Sequence, residues 1–253
     1  AASKCTVFFI DEDQRVTIHD IGQIDELMKW AESFDANVTE LELASQFRCN
    51  GSDGYLSWLD QILQIRETAN TDLQDIDFDF QVVDSPTVLR DMIIEKNRIA
   101  NKARLVAGYC WKWESKKQPK AMDIEFPEYD FAMQWNLTKD GSLWIVSPNS
   151  INEIGCIHTC QGLELDYVGV IIGDDLIVRD GKVVVDPSKR DSNDSSVRGW
   201  RGRMEQDPDK TLQLMDMIIK NTYKTLLTRG MKGCYVYCTD KETEEYFEEI
   251  STR

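Results

Sequence analysis

The residues that could do chemistry in this 253-residue chain gather in four short stretches. Each places polar side chains where a strand-like or helix-like run ends, the position at which α/β proteins build their sites. FFIDEDQRV (8–16) carries Asp11, Asp13 and Gln14, and ELASQFRCN (42–50) carries Arg48. IGCIHTCQGLELDYVGV (154–170) holds His158, Thr159, Gly162 and Glu164, and NTYKTLLTRGMKGCYVYC (221–238) holds Arg229. Two further stretches mix cations with aromatic rings. Trp111 and Trp113 flank Lys112 ahead of KKQPK, and RGWRGR (198–203) includes Arg201. Such mixtures suit phosphate contact and base stacking on a single strand. No GxxxxGK[ST] and no GxGxxG occurs anywhere. A mononucleotide-binding α/β enzyme needs a glycine loop whose N–H groups cradle the phosphates. The main cradle for any nucleotide chemistry is therefore expected outside this chain.

Each of these residues also has a plainer reading. Arg229 stands in a last helical turn before Gly230, where a cation suits the helix dipole and the glycine suits a left-handed cap. Arg48 can pair with a surface acid, and Asp11 and Gln14 can form a polar turn. Cys156, His158 and Cys160 share one face if their segment is a strand, and Cys234 and Cys238 could add ligands. The spacing lacks the CxxC knuckle of zinc sites, so core cysteines are the better fit and no metal site is expected.

The elements that must position these residues alternate between strand-like and helix-like patterns, which predicts a mainly parallel sheet covered by helices. Strands are expected at 5–10, 39–44, 78–84, 104–110, 143–146, 167–172 and 234–238, with a hairpin in LIVRDGKVVVD turning at Asp180-Gly181. Helical spacing marks 21–34 and 52–65. Ser85-Pro86 reads as an N-cap followed by proline at the first helical position, opening a helix that runs to about Lys102. Asp207-Pro208 opens the longest helix, with Leu212, Met215, Ile218, Ile219, Thr222 and Leu226 as its buried stripe. Residues 186–207 are polar and Gly/Ser-rich and read as a mobile loop.

Bulk properties narrow the class. With 42% hydrophobic and 29% charged residues the chain has ordinary globular composition, and no apolar run approaches the ~20 residues of a membrane span. Seven cysteines form an odd set, a poor disulfide framework at this length, so reduced thiols and a cytoplasmic location are expected. The opening AASKC has no initiator Met before an apolar run, which fits a piece of a longer protein. A net charge of −16 argues against coating nucleic acid over the whole surface. Two stretches run against that trend. Residues 90–120 hold nine Lys/Arg against three acids, and 176–203 hold seven against four.

The four polar stretches, in this order, resemble the later motifs of superfamily 1 helicases: the sensor after the Walker B strand, then the motifs numbered four, five and six. QGLELDYVGVIIG with TRGMKGCYVYC is most similar to the schlafen-like bacterial family of DNA/RNA helicases, and the likeness runs from Phe8 to Cys238. IDEDQ also has the form of a Walker B motif. Only about thirty residues separate Gln14 from Arg48, enough for one helix and one strand and no further sensor, so Asp11 and Gln14 are read as the sensor.

The resemblance implies a three-layer α/β/α RecA-like domain, a P-loop NTPase superfamily fold without its P-loop. Residues 1–36 would be a remnant of the first lobe and 37–253 the second, with a polar insertion at about 176–207. Arg48 and Arg229 would be the cations that stabilise the transferring phosphoryl group of ATP with Mg2+, while Gln14 senses it. Asp11 and Gly162 would belong to the nucleotide site, and Glu164 would contact the ribose. His158 and Thr159 would touch single-stranded DNA or RNA, joined by Trp111 and Arg201. The upstream lobe of the same polypeptide would hold the Walker motifs, so this stretch alone would not hydrolyse ATP. Gln161 departs from the lysine many relatives carry in motif five. A different class stays open: a non-catalytic nucleic-acid or partner-binding module that retains a motor fold.

Overall fold

The computed structural model describes residues 3–20, 23–41, 49, 52–74, 76–137, 143–160 and 162–252. Arg48 and Gln161, and residues 42–44 of the strand expected at 39–44, lie outside the described residues; 39–41 are not in a strand. After a single 3-10 turn at Glu12–Gln14, the chain forms α1 (Ile24–Ser33), α2 (Asp53–Ile62), β1 (Asp79–Val82), α3 (Pro86–Ala100) and β2 (Ala103–Ala107). There follow β3 (Ile124–Phe126), β4 (Phe131–Trp135), β5 (Glu153–Gly155), the short α4 (Ile157–Cys160) and β6 (Leu165–Ile172). The hairpin β7 (Leu176–Arg179) and β8 (Lys182–Val185) precedes α5 (Trp200–Gln206), α6 (Pro208–Leu227), β9 (Gly230–Cys238) and α7 (Lys241–Ser251).

Among the described residues, seven strands make one sheet in the order β1-β9-β6-β2-β5-β4-β3, with every pairing parallel except β3 with β4. Alternation along the central strands sends side chains to two cores. Val168, Val170 and Ile172 of β6, with Cys234, Val236 and Cys238 of β9, meet Trp58 and Leu59 of α2, Tyr223 and Leu226 of α6 and Phe247 of α7. Ile171, Tyr235 and Tyr237 face the other way, onto Leu89 and Ile93 of α3 and the aromatic group Phe131 and Trp135. The result is the expected α/β architecture, consistent with a RecA-like domain. Gly169 lets α3 approach, since a Cβ there would lie 2.6 Å from Leu105 and 2.7 Å from Ile93.

Local signals that fix backbone geometry behave as physics predicts. Ser85 accepts a hydrogen bond from Val88 N at 3.2 Å with Pro86 in the first turn. The hairpin turn has Asp180 at φ 51° and Gly181 at φ 72°, the left-handed pair of a type I′ turn.

Four expectations are corrected. Segment 5–10 is not a buried strand: Phe8 is 62% and Phe9 85% exposed, because no described strand offers it a ladder. LWIV (143–146) is a turn, since Trp144 inserts its ring over Gly155 and donates from Nε1 to Glu153 at 2.5 Å. Leu212 is half exposed rather than in the stripe of α6, whereas Met215, Ile218, Ile219, Thr222 and Leu226 are buried. Residues 186–207 form an ordered connection, ending in α5, rather than a mobile loop.

The reason for that last correction is Arg190. Its guanidinium is buried and donates to Asp175 at 2.8 Å, Asp194 at 3.1 Å, Ser196 at 2.8 Å and Thr222 at 3.3 Å. Asp175 also accepts from Tyr223 at 2.5 Å and from Cys110 at 3.0 Å. Burial opposes the charge on Arg190, but Asp175 and Asp194 outweigh it and hold the guanidinium more firmly protonated than usual. This network ties the connection to α6 and to the ends of β2 and β6. Replacing Arg190 by Ala strands two buried carboxylates and should cost about 3–5 kcal/mol. Urea unfolding of the variant measures it; a loss under about 1 kcal/mol would contradict the closed network.

Candidate functional site

The sensor-like turn is anchored on α6. Asp11 caps the turn by accepting from Asp13 N at 3.2 Å, and Gln14 Nε2 donates to Asp11 at 2.5 Å. Two side chains of α6 then grip the backbone and side chains of this turn. Asn221, itself buried, donates to the carbonyls of Glu12 at 3.4 Å and Arg15 at 3.1 Å. Lys224 reaches Asp13 at 2.8 Å and the buried Asp60 of α2 at 2.6 Å. Arg66 closes on the other oxygen of Asp60 at 2.5 Å. Beyond the turn, Val16 enters the main core, and Ile18 packs with Val197, Met215 and Ile218 while its N–H donates to Ser196 O at 2.8 Å. Residues 12–18 therefore pack as part of the same body as α6.

A small cleft opens between the turn and the helix, lined by Asp11, Asp13, Gln14, Leu56, Arg66, Lys224, Thr225 and Thr228. It encloses about 160 Å³, short of the ~300–1,000 Å3 that surround a small ligand. Burial works against ionisation of Asp13, yet the hydrogen bond and charge of Lys224, with Arg66, hold its carboxyl below the ordinary range.

Arg229 follows Thr228 directly and is buried. Its Nε donates to Thr225 O at 2.9 Å, bracing the last turn of α6, and its Nη1 to Leu163 O at 3.5 Å. Gly230 is no left-handed cap: it starts β9, where a Cβ would collide with the carbonyl of Gly233. The contact with Leu163 brings Arg229 against the loop that carries Gly162, at φ 79°, and Glu164, both exposed. Leu165 N donates to Arg229 O at 3.0 Å, which locks the two segments in register. Cys49 is buried with its thiol 3.8 Å from Thr228 O, and Tyr55 donates to Leu227 O at 3.1 Å. Three of the four sequence stretches thus meet at the C-terminal half of α6.

The other residues lie apart from this cleft. His158 is exposed on α4, its ring 6.0 Å from that of Tyr109, and Thr159 bonds Asn136 at 3.2 Å. Because 157–160 is helical rather than extended, Cys156 and Cys160 point inward while His158 points out, so the three do not converge as a ligand set. Burial raises the Cys160 thiol to about 12. All seven cysteines are free, and among the described residues no cluster of His, Cys, Asp and Glu could hold a metal. Trp111 is half-buried against Phe126, and Arg201 lies exposed over Trp200 at 4.8 Å. Sequence reasoning missed Lys224, Asn221 and Asp60. Their signal was faint: three polar residues on helical faces otherwise read as core.

The chain matches the model for Schlafen group 3, DNA/RNA helicase domain, over residues 1–240. It is 26% identical over 219 residues to a Saccharomyces cerevisiae protein, "Uncharacterized protein YPL245W", a match covering 80% of this chain and 46% of that relative. The chain thus spans less than half the length of the curated relative. Among the described residues no helix is long and apolar enough to cross a membrane.

The ion pair between Lys224 and Asp13 is testable. In Lys224→Met, the Asp13 carboxyl should titrate at higher pH than in the wild type, followed by carbon-13 NMR. The sign follows from its depressed value: the pair stabilises the fold above about pH 4 and fades as pH falls through that value. An unmoved Asp13 titration would show that Lys224 does not hold it.

Proposed function

The chain belongs to the Schlafen group 3 DNA/RNA helicase domain family, and on that premise we propose that it forms one wall of an ATP-dependent helicase or translocase. The observation that carries this reading is the meeting of the Asp11–Gln14 turn, the 162–164 loop and Arg229 at one end of α6. Walker A and B, on an upstream lobe of the same polypeptide, would present ATP with Mg2+ to this wall. That lobe would also give the exposed 5–10 segment a strand to pair with, while residues 12–18 pack with α6.

In this account Gln14 senses the γ-phosphate, Asp11 holds the Gln14 amide in place, and Gly162 and Glu164 face the nucleotide. Arg229 and Arg48 supply fixed positive charge where negative charge develops during transfer. Arg229 would exchange its bond to Thr225 O for phosphate as the lobes close. Closure then depends on the nucleotide, since a ligand shifts an equilibrium only through differential contacts. His158, Thr159, Trp111 and Arg201 would lie along the strand of DNA or RNA being moved, in the cytoplasm.

Arg229→Ala in the full-length protein should lower nucleic-acid-stimulated ATP turnover by about two orders of magnitude or more. Turnover near wild type would remove Arg229 from the mechanism. The 253-residue chain by itself should show no ATPase activity, and robust hydrolysis would mean a second phosphate cradle within it.

A further inference from the structure

Of the nine cations between residues 90 and 120, the fold neutralises or buries four, leaves Lys102 exposed before β2, and gathers the other four, exposed and without acidic partners, on one loop. Arg90 pairs with Asp91 at 3.2 Å, Lys96 with Asp79 at 3.2 Å and Arg98 with Glu95 at 2.6 Å. Arg104 is fully buried, where its fork donates to Ser150, Asn97 and Asn101 and to the carbonyls of Ile145 and Ser147. It organises the 143–152 turn and is out of reach of any partner. Lys112, Lys116, Lys117 and Lys120 are exposed, and among the described residues none makes an ion pair. Lys116 lies instead over the Trp113 ring at 4.5 Å, which keeps its charge available.

The loop that carries these lysines is built rather than slack. Buried Asp123 accepts from Ser115 N at 2.8 Å and from Trp135 N at 2.7 Å, so one carboxylate staples the loop to β4. Gln134 adds bonds to the carbonyls of Pro119 at 2.8 Å and Ala121 at 3.0 Å. Internal bonds from Lys117 N and Gln118 N to Glu114 O close a turn. Trp111 and Trp113 are half-buried, packing edge-on against Phe126 and Trp135. Through Trp135 and Tyr109 the aromatic contacts continue to the ring of exposed His158. The indoles hold the loop down, and the lysines project from it.

We propose that loop 112–120 is a phosphate-tracking arm for single-stranded nucleic acid, continuous with His158, which reads backbone charge and not base identity. The inference rests on the helicase reading above and adds a site to it. In a chain of net charge −16, four fixed and unpaired lysines on one short loop match the regular negative charge of a polynucleotide. An ordered loop also loses little conformational freedom on binding.

The test measures binding of the full-length protein to a fluorescent single-stranded oligonucleotide across a salt series. Converting Lys112, Lys116, Lys117 and Lys120 to Gln should lower the slope of log K against log salt by nearly 3, at about 0.7 per lost contact, and weaken binding at least tenfold at low salt. Lys116→Gln and Lys120→Gln alone should each lower the slope by about 0.7. A control converts Lys4, Lys29, Lys182 and Lys189 to Gln, changes net charge equally, and should leave the slope unchanged. Equal slopes for the wild type and the loop variant, or equal losses in loop variant and control, overturn the arm while leaving the helicase reading in place. A wild-type protein that binds no nucleic acid overturns both. Nucleic-acid binding retained alongside loss of an acidic protein partner would reassign the loop to protein recognition.

Discussion

Four consecutive residues of α6 point in four directions, because each step along a helix turns by about 100°. Asn221 holds the carbonyls of Glu12 and Arg15. Thr222 accepts from Arg190 of the ordered connection, and Tyr223 bonds Asp175 and Gly173 at the end of β6. Lys224 joins Asp60 of α2 to Asp13. One helical turn of polar residues thus fixes the 11–15 turn, the 186–199 connection, the C-terminal end of the central strand β6 and a neighbouring helix relative to one another. Burying so many polar groups is tolerable only because each finds its partner. The candidate site inherits its rigidity from this arrangement, and Arg229 follows two residues after the helix ends.

In the proposed function, a helix-bracing arginine stands where a charge-stabilising one would act. Bound to Thr225 O and Leu163 O, Arg229 is held near the cleft at little cost, since a buried guanidinium needs acceptors in any state. Phosphate offers stronger, charge-assisted acceptors than carbonyls do. In the proposed function, exchange between them couples nucleotide to closure. The small enclosed volume of the cleft fits the same account, in which the second wall comes from an upstream lobe.

Much of this was legible in the sequence, for reasons that differ by residue. Ser85-Pro86, Asp180-Gly181 and Asp207-Pro208 announce themselves because cap and turn geometry is local chemistry. The central strands β6 and β9 are long apolar runs. Short strands at the sheet's edge were missed: β4 alternates Phe131, Met133 and Trp135 inward with Ala132 and Gln134 outward, but over five residues only. LWIV misled because an apolar run says nothing of a tryptophan that turns to fill the space over a glycine. The polar 186–207 stretch misled in the opposite sense. Composition cannot reveal that one of its arginines is buried between two aspartates from different parts of the chain. At the site, Arg229 and Gln14 stood out through their motifs, whereas Lys224 and Asn221 matter through contacts with residues more than 200 positions away.

The central claim is that the 11–15 turn and the end of α6 respond to nucleotide as one wall. Hydrogen exchange of the full-length protein, with and without a non-hydrolysable ATP analogue and Mg2+, tests it most directly. The account predicts that amides in 11–15, 162–165 and 225–229 gain protection together on nucleotide binding. Protection confined to one of these segments, or absent from all three while nucleotide is bound elsewhere, would contradict it.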